Sequence, residues 1–180
     1  MKQNIDAWWS AIENGAEAIV ITASGCGPVL KDYCEALKHD ADYAQKAHRV
    51  STLACDLSEF LAKFDLQQFK TKSEKRVAFH SPCSLQHGQK LNGAVESILS
   101  RLGYTLTNVP DSHLCCGSAG TYSILQAELS QQLLRNKVNA LQSDAPHLIV
   151  TANIGCQLHI GTDTALPVKH WIELLDGEAT

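Results

Sequence analysis

The 180-residue sequence lacks a long apolar run. Its longest strongly apolar stretch, residues 18–23, is far shorter than the roughly 20 residues that a membrane-spanning helix needs. Near the start, Asp6 and Glu13 bracket Trp8-Trp9, so the apolar core of a secretory signal is absent there. We therefore expect a cytoplasmic protein.

Positive charge is also scarce. The sequence has 15 Lys and Arg against 19 Asp and Glu, which gives a formal net charge of −4. The basic residues are scattered, whereas a protein that neutralises phosphates presents a basic patch or stripe. We therefore expect no nucleic acid partner. A glycine-rich dinucleotide fingerprint is absent as well.

Cysteine, in contrast, is abundant, with seven residues in a chain that is 44% hydrophobic. An odd number of cysteines, in a chain large enough to bury a core and without secretory features, argues against a disulfide framework. Cysteines in a reducing compartment more often bind metal or carry out redox chemistry. The two cysteines without a spacing partner, Cys34 and Cys55, are expected to be core or surface residues.

The adjacent pair Cys115-Cys116, followed by Gly117, is the most informative motif. Neighbouring side chains of an extended backbone point opposite ways, so a loop that turns both cysteines inward indicates a shared ligand. Cys83 precedes the pair by 31 intervening residues, and Cys156 follows it after 39. Four thiolates suit an iron–sulfur cluster or zinc. A disulfide between the two neighbours is the local alternative.

Alternating strands and helices predict the fold. Residues 18–22, 76–79 and 147–151 are predicted strands, and residues 94–102 and 121–141 are predicted helices. This order predicts an α/β protein of parallel-sheet, Rossmann-like βαβ units. The cysteine-bearing loops then follow the carboxyl ends of strands, where open α/β sheets bind their ligands.

Residues 18–26 resemble residues 148–156, because both contain an apolar strand, Thr-Ala and then Gly-Cys. Cys26 is thereby the counterpart of Cys156. A weaker similarity links residues 55–61 with residues 170–175. We therefore predict two repeats, with residues 1–66 as the carboxyl-terminal part of a truncated first unit, a linker at 67–75 and a complete second unit at 76–180. Such a chain is expected to be a fragment, a truncated gene product or a split subunit.

Three segments together resemble the cysteine-rich CCG domain family: His80-Ser81-Pro82-Cys83, residues 114–122 around the cysteine pair, and Asn153-Ile154-Gly155-Cys156-Gln157. That domain occurs in heterodisulfide reductases and in iron–sulfur subunits of hydroxy-acid and glycerol-phosphate dehydrogenases. The resemblance is strongest to the carboxyl-terminal part of iron–sulfur subunits of bacterial glycolate oxidases, and it extends over essentially all 180 residues.

The resemblance implies a cluster held by Cys83, Cys115, Cys116 and Cys156. The family signature ends in Cys-x-x-Cys, and Asn153 stands where the first of those cysteines would be. Heterodisulfide reductase ligates each of its noncubane clusters with five cysteines, whereas four thiolates match an ordinary [4Fe–4S] cluster. Cys26 and His159 are weaker candidate ligands. The imidazoles of His80, His87 and His113 could also replace a thiolate, as in some iron–sulfur centres, although we interpret them as polar or solvated neighbours.

The resemblance also implies a function. The cluster would pass electrons from a flavoprotein dehydrogenase subunit, which holds FAD, to a membrane acceptor, and a longer parent chain would carry a ferredoxin-like module. The substrate class includes glycolate, lactate and glycerol phosphate. Two alternatives stay open: a metal-free assembly module that docks flavoprotein subunits, with its thiols reduced and empty, and thiol catalysis with Cys115 or Cys116 as nucleophile and His113 as base.

Overall fold

The computed structural model describes residues 1–70 and 74–176. Its helices are α1 Lys2–Glu13, α2 Gly27–Lys31, α3 Tyr33–Ala36, α4 Ala44–Leu53, α5 Leu57–Leu61, α6 Ala94–Arg101, α7 Tyr122–Leu125, α8 Ala127–Gln142 and α9 Ile154–Gly161. Its strands are β1 Ile19–Ile21, β2 Ala54–Asp56, β3 Arg76–His80, β4 Thr105–Leu106, β5 Leu148–Thr151 and β6 Val168–His170. A π-helix spans Ser84–Gly88, and 3-10 helices span Gln67–Phe69 and Trp171–Leu175. Within those two described ranges, no helix combines the length and the apolar character needed to cross a membrane.

A four-stranded parallel sheet organises the second half of the chain. Its strand order is β4-β3-β5-β6, and the register between the two central strands runs from Val77 beside Leu148 to His80 beside Thr151. The chain leaves β3 for β4 on one side and returns to β5 on the other side. The order therefore reverses between β3 and β5, which confirms the predicted Rossmann-like α/β class and places a crevice at the carboxyl ends of these two strands.

The two faces of this sheet pack against different helices, because side chains alternate along a strand. Val77 and Phe79 join a core with α6 and Trp171. Ala78 and Ile149 point the other way, into a core with α8, α9 and the thiols of Cys116 and Cys156. By the same alternation, His80 faces the side that holds the cysteines.

A second parallel pair, β1 and β2, builds the first half together with α1 to α5. The loop after β1 meets the carboxyl ends of the larger sheet. There the Ser24 amide donates to the carbonyl of Ala152 at 3.0 Å, and the Ser24 hydroxyl lies 2.9 Å from that of Ser84. The Gln89 amide also donates to the Asp56 carboxylate at 3.1 Å. The strand ends of both halves therefore face one another.

The pair β1–β2 resembles the pair β5–β6 in one further respect. Both end in a residue that caps the following helix reciprocally, Asp56 with Glu59 in one case and His170 with Glu173 in the other. Such agreement is what a duplication would produce, although the duplication stays a prediction.

The predicted unit boundary at 67–75 is also untested. Part of that segment, residues 71–73, lies outside the described residues, and Gln67–Phe69 forms a 3-10 turn. Just before it, Leu66 is buried in the core between the four-stranded sheet and α6, and Leu57 and Leu61 pack against that core.

One predicted element differs from the structure in a way that matters for the site. The helix predicted at 121–141 is interrupted at Gln126, whose φ of −126° and ψ of 51° are not helical, so that α7 and α8 are separate. Periodicity could not reveal the break, because Leu125 and Leu129 keep the apolar spacing across it. Both of these side chains are exposed.

Candidate metal centre

The crevice between β3 and β5 receives two of the four candidate cysteines. Cys83 follows the last residue of β3 by three positions, and Cys156 lies in the first turn of α9 after β5. Asn153 starts that helix, because its side-chain oxygen accepts the amide of Gly155 at 2.9 Å. Asn153 is therefore the N-cap of α9.

The cysteine pair reaches the same crevice through a tightly held loop. Gly117 has a φ of +90°, and a Cβ added there would lie 2.5 Å from the carbonyl oxygen of Ser130 on α8. The Ser130 hydroxyl donates to the Gly117 carbonyl at 2.8 Å. Only glycine fits this contact, which explains why this residue follows the pair. Cys116 is consequently buried, whereas Cys115 is partly exposed.

The four thiols form a row in the order Cys83, Cys115, Cys116, Cys156. Each thiol lies close enough to the next one to influence its pKa. Cys83 lies at the exposed end, and Cys116 and Cys156 are buried at the other end. The structure thus brings together the four cysteines that the sequence singled out and that are 73 positions apart at most. We refer to them below as the thiol row.

The pKa values of three of these thiols are raised. Burial and then the neighbouring Cys115 raise the pKa of Cys83, and the hydrogen bond to Cys116 raises the pKa of Cys115. For Cys116 the bond with Cys115 lowers the pKa, but the bond with Cys156 and burial outweigh it and raise the pKa to about 12. An activated nucleophile requires a lowered pKa, so these shifts oppose the thiol-catalysis hypothesis.

Main-chain N–H groups point at the sulfur atoms. The amide of Gly117 donates to the Cys115 sulfur at 3.3 Å, and the backbone at Ser118 and at Ser84 lowers the pKa values of Cys116 and Cys83, respectively. Such donors stabilise a thiolate over a thiol, and around a cluster they tune its reduction potential. The backbone therefore favours anionic sulfur at this place even though burial opposes it.

A buried lysine lies on the same side of the sheet. Lys137 on α8 is 2% exposed, and its Nζ donates to the carbonyls of Asp111 and Ser112 at 2.9 and 3.3 Å. Burial lowers its pKa, and the electrostatic influence of Cys116 and Cys115 acts in the opposite direction. Lys137 thus anchors the loop ahead of the cysteine pair and places a positive charge near the thiol row.

His80 is the functional candidate that the sequence interpretation undervalued. Its ring is 1% exposed, and its ligand nitrogen lies within 4.8 Å of the sulfur atoms of Cys116 and Cys156. Neither ring nitrogen has a hydrogen-bond partner among the described residues. A buried unsatisfied polar group costs about 1–3 kcal/mol. Burial, with a smaller contribution from Lys137, lowers the pKa of His80 to about 3, so the ring is neutral.

The sequence did contain a signal for His80. It is the last residue of a predicted strand and lies three positions before Cys83, so period-two alternation places it on one face with Ala78. The weaker candidates do not belong to the group formed by His80, Cys116 and Cys156. Cys26 is exposed at the start of α2, and the His159 ring is 3.2 Å from the Ser130 hydroxyl.

The comparison with protein families settles the resemblance. Residues 77–161, which include β3, the thiol row and α9, match the cysteine-rich domain termed CCG. The matched segment contains Cys83, Cys115, Cys116 and Cys156 as well as His80.

Three relatives extend the similarity beyond the CCG domain. The glycolate oxidase iron-sulfur subunit of Escherichia coli K12 is 58% identical over 175 residues, which are 97% of this chain and 43% of that protein. A probable glycolate oxidase iron-sulfur subunit of Bacillus subtilis is 31% identical over 88% of this chain and 36% of its own length. Lactate utilization protein A of Bacillus licheniformis is 26% identical over 171 residues, which are 89% of this chain and 71% of that protein. The chain therefore spans less than half the length of the two glycolate oxidase relatives.

Proposed function

We propose that this chain carries the electron-transfer centre of an iron–sulfur subunit in a flavin-dependent 2-hydroxy-acid dehydrogenase, with glycolate as the first candidate substrate. The observation that carries the proposal is the thiol row, in which four cysteines from three loops meet at the carboxyl ends of parallel strands. The printed names of two relatives, iron-sulfur subunits of glycolate oxidase, support the choice of iron and of substrate.

The donor set fits a cluster. Four thiolates are the usual ligands of a [4Fe–4S] cluster, and Cys83, Cys115, Cys116 and Cys156 would hold it. When bound, such a cluster supplies reversible one-electron transfer. The chain's own groups would act on it in two ways: the amide of Gly117 would tune it through its hydrogen bond to the Cys115 sulfur, and Lys137 would balance negative charge.

The position of the thiol row suits electron exchange. Cys83 is exposed while Cys116 and Cys156 are buried, so a cluster here would be shielded on one side and approachable on the other. Large apolar side chains are exposed on the elements that flank the row. They are Ile124 and Leu125 on α7, Leu129 on α8, and Ile154 and Leu158 on α9. Exposed apolar groups of this kind are typical of protein contact surfaces.

The partners follow from the same proposal. A flavoprotein dehydrogenase subunit would hold FAD and oxidise the hydroxy acid, and electrons would pass through this chain toward a membrane acceptor. A ferredoxin-like module would lie in the longer parent protein, since the chain spans only 43% of the Escherichia coli relative. The complex would work in the cytoplasm, at the inner face of the plasma membrane. Lactate is the second candidate substrate, because other relatives are named lactate utilization protein A.

The direct test is the iron and sulfide content of anaerobically purified or reconstituted protein. We expect about four of each per chain and an absorbance near 400 nm that bleaches on reduction. Single serine substitutions at Cys83, Cys115, Cys116 and Cys156 should each lower the iron content, whereas Cys34→Ser is the matched control and should leave it unchanged. Protein that takes up no iron would contradict the proposal.

A metal-free assembly module is the second candidate, and the exposed apolar residues of α7 and α9 are the observation in its favour. In that case the double variant Cys115→Ser/Cys116→Ser would bind the flavoprotein subunits with unchanged affinity. Under the electron-transfer proposal, the same variant loses iron and electron transfer. Co-purification of the variant with its flavoprotein, combined with iron analysis, separates the two functions.

A further inference from the structure

The His80 side chain extends the donor set of the thiol row. One ring nitrogen and the sulfur atoms of Cys116 and Cys156 all lie within 4.8 Å of one another, and all three residues are buried. The ring is 1% exposed, and in the part of the chain that the structure describes both of its nitrogens are without a hydrogen-bond partner. A polar side chain is thus placed against two thiols with its own bonding capacity unused.

The surroundings do not explain the imidazole as a packing residue. On the same face of the sheet, the neighbouring positions are the apolar Ala78 and Ile149, which pack against α8 and α9. Thr151, the register partner of His80 on β5, also leaves its hydroxyl unpaired within the described residues, so the ring is not bonded across the sheet. An apolar residue would fill this position at lower cost, because buried polar groups are normally satisfied.

We propose that His80 binds iron at this centre through one ring nitrogen, beside Cys116 and Cys156, as a fifth protein donor in addition to the four thiolates. The nitrogen lone pair would form the Fe–N bond, the other ring nitrogen would keep its proton, and no electron would be transferred in this step. Imidazole is a known ligand of iron in some iron–sulfur centres, where it raises the reduction potential. This assignment rests on the proposed function, since it requires iron at the thiol row.

The test uses nitrogen hyperfine coupling as its readout. Protein labelled with ¹⁵N-histidine is reconstituted anaerobically with ferrous iron and sulfide, reduced, and measured by pulsed EPR. We expect a coupling from a histidine nitrogen that disappears in His80→Ala. His159→Ala is the matched control, because that ring bonds to Ser130 instead, and the coupling should persist in it. Absence of histidine coupling in the wild type, or its persistence in His80→Ala, overturns the assignment.

A second variant, His80→Leu, distinguishes the loss of an iron ligand from a folding defect. His80→Leu removes the unsatisfied ring from the buried site, so the metal-free variant should unfold at the same or a higher urea concentration than the wild type. The same variant should lose iron several-fold faster to a chelator. An unchanged rate of iron loss in a folded His80→Leu protein contradicts the assignment.

The wild type separates the two proposals. Wild-type protein that takes up neither iron nor sulfide overturns the proposed function and the role of His80 together. Wild-type protein that takes up both, but shows no coupling from histidine, overturns only the role of His80 and leaves the thiol row as the cluster site.

Discussion

Gly117 and Ser130 are in such close contact that the loop of the cysteine pair packs directly against α8. The Ser130 hydroxyl donates to the Gly117 carbonyl at 2.8 Å, and a Cβ on Gly117 would lie 2.5 Å from the Ser130 carbonyl oxygen. Since that oxygen belongs to the backbone of a helix, it cannot move aside cheaply. The glycine of the Cys-Cys-Gly motif is therefore a packing requirement of this fold.

Gly117→Ala should destabilise the protein and displace the thiols. A positive φ costs an L-residue about 1–2 kcal/mol, and here the overlap with Ser130 adds to that cost. Gly15→Ala is the matched control, because Gly15 has a φ of +93° and no described atom lies within 4 Å of its added Cβ. Urea unfolding of both variants checks the difference. Equal losses of stability would show that the contact with Ser130 is unimportant.

Lys137→Met should lower the reduction potential of the reconstituted cluster. Reduction adds negative charge, which the buried ammonium stabilises, so its removal should lower the potential by roughly 1 kcal/mol, or about 40 mV for one electron. Arg135→Met, an exposed change on the same helix, should leave the potential near the wild-type value. Redox titration followed by EPR measures both. A potential that is unaffected by Lys137→Met would mean that its charge does not act on the cluster.

Asn153→Ala should weaken the start of α9 while leaving iron binding intact. Its side-chain oxygen accepts the amide of Gly155, and the loss of such a cap costs about 1 kcal/mol. Asn153→Asp keeps the accepting oxygen and should retain most of the stability. Thermal unfolding and iron analysis test the pair of variants. If Asn153→Ala lost iron as severely as Cys156→Ser, Asn153 would contribute to the metal site directly.

Glu96→Gln should stabilise the protein at neutral pH and have little effect at pH 4. Burial raises the pKa of Glu96, and its Oε2 has no partner within residues 1–70 and 74–176. Because the pKa of Glu96 is higher in the folded state than its unfolded value of 4.5, the protonated side chain favours folding below pH 4.5. This stabilisation is lost as the pH rises through the pKa of the folded state. We expect a gain of less than about 1 kcal/mol at pH 7, because the side chain is only partly buried.

The control for this pH dependence is Glu128→Gln. Glu128 also lies in the first turn of a helix, α8, but it is exposed. Its substitution should therefore remove a favourable interaction with the helix N-terminus without any gain from desolvation. Unfolding curves at pH 4 and pH 7 for both variants measure the contrast. A larger stabilisation from Glu128→Gln than from Glu96→Gln would contradict the role of burial.

Local pattern was sufficient for much of the fold and for the identity of the thiols. The strand β3, the helix α6 and the strand β5 follow from apolar periodicity and from the glycines and prolines that interrupt it. The four cysteines could be grouped because their spacing places each after a strand, and carboxyl ends of parallel strands share one edge of a sheet. The short strands β2 and β6 escaped prediction, since Asp56 in β2 and Lys169 and His170 in β6 interrupt the apolar pattern that marks a buried strand.

What the sequence pattern left open depends on contacts between residues far apart in the chain. Three features arise only when distant segments pack together. They are the strand order β4-β3-β5-β6, the order of the thiols in the row and the contact between Gly117 and Ser130. His80 illustrates the difference most clearly. Its position at the end of a strand is a local property, but its unpaired, buried ring beside Cys116 and Cys156 results from the packing of β3 against β5 and the cysteine loop, where desolvation determines which side chains can remain polar.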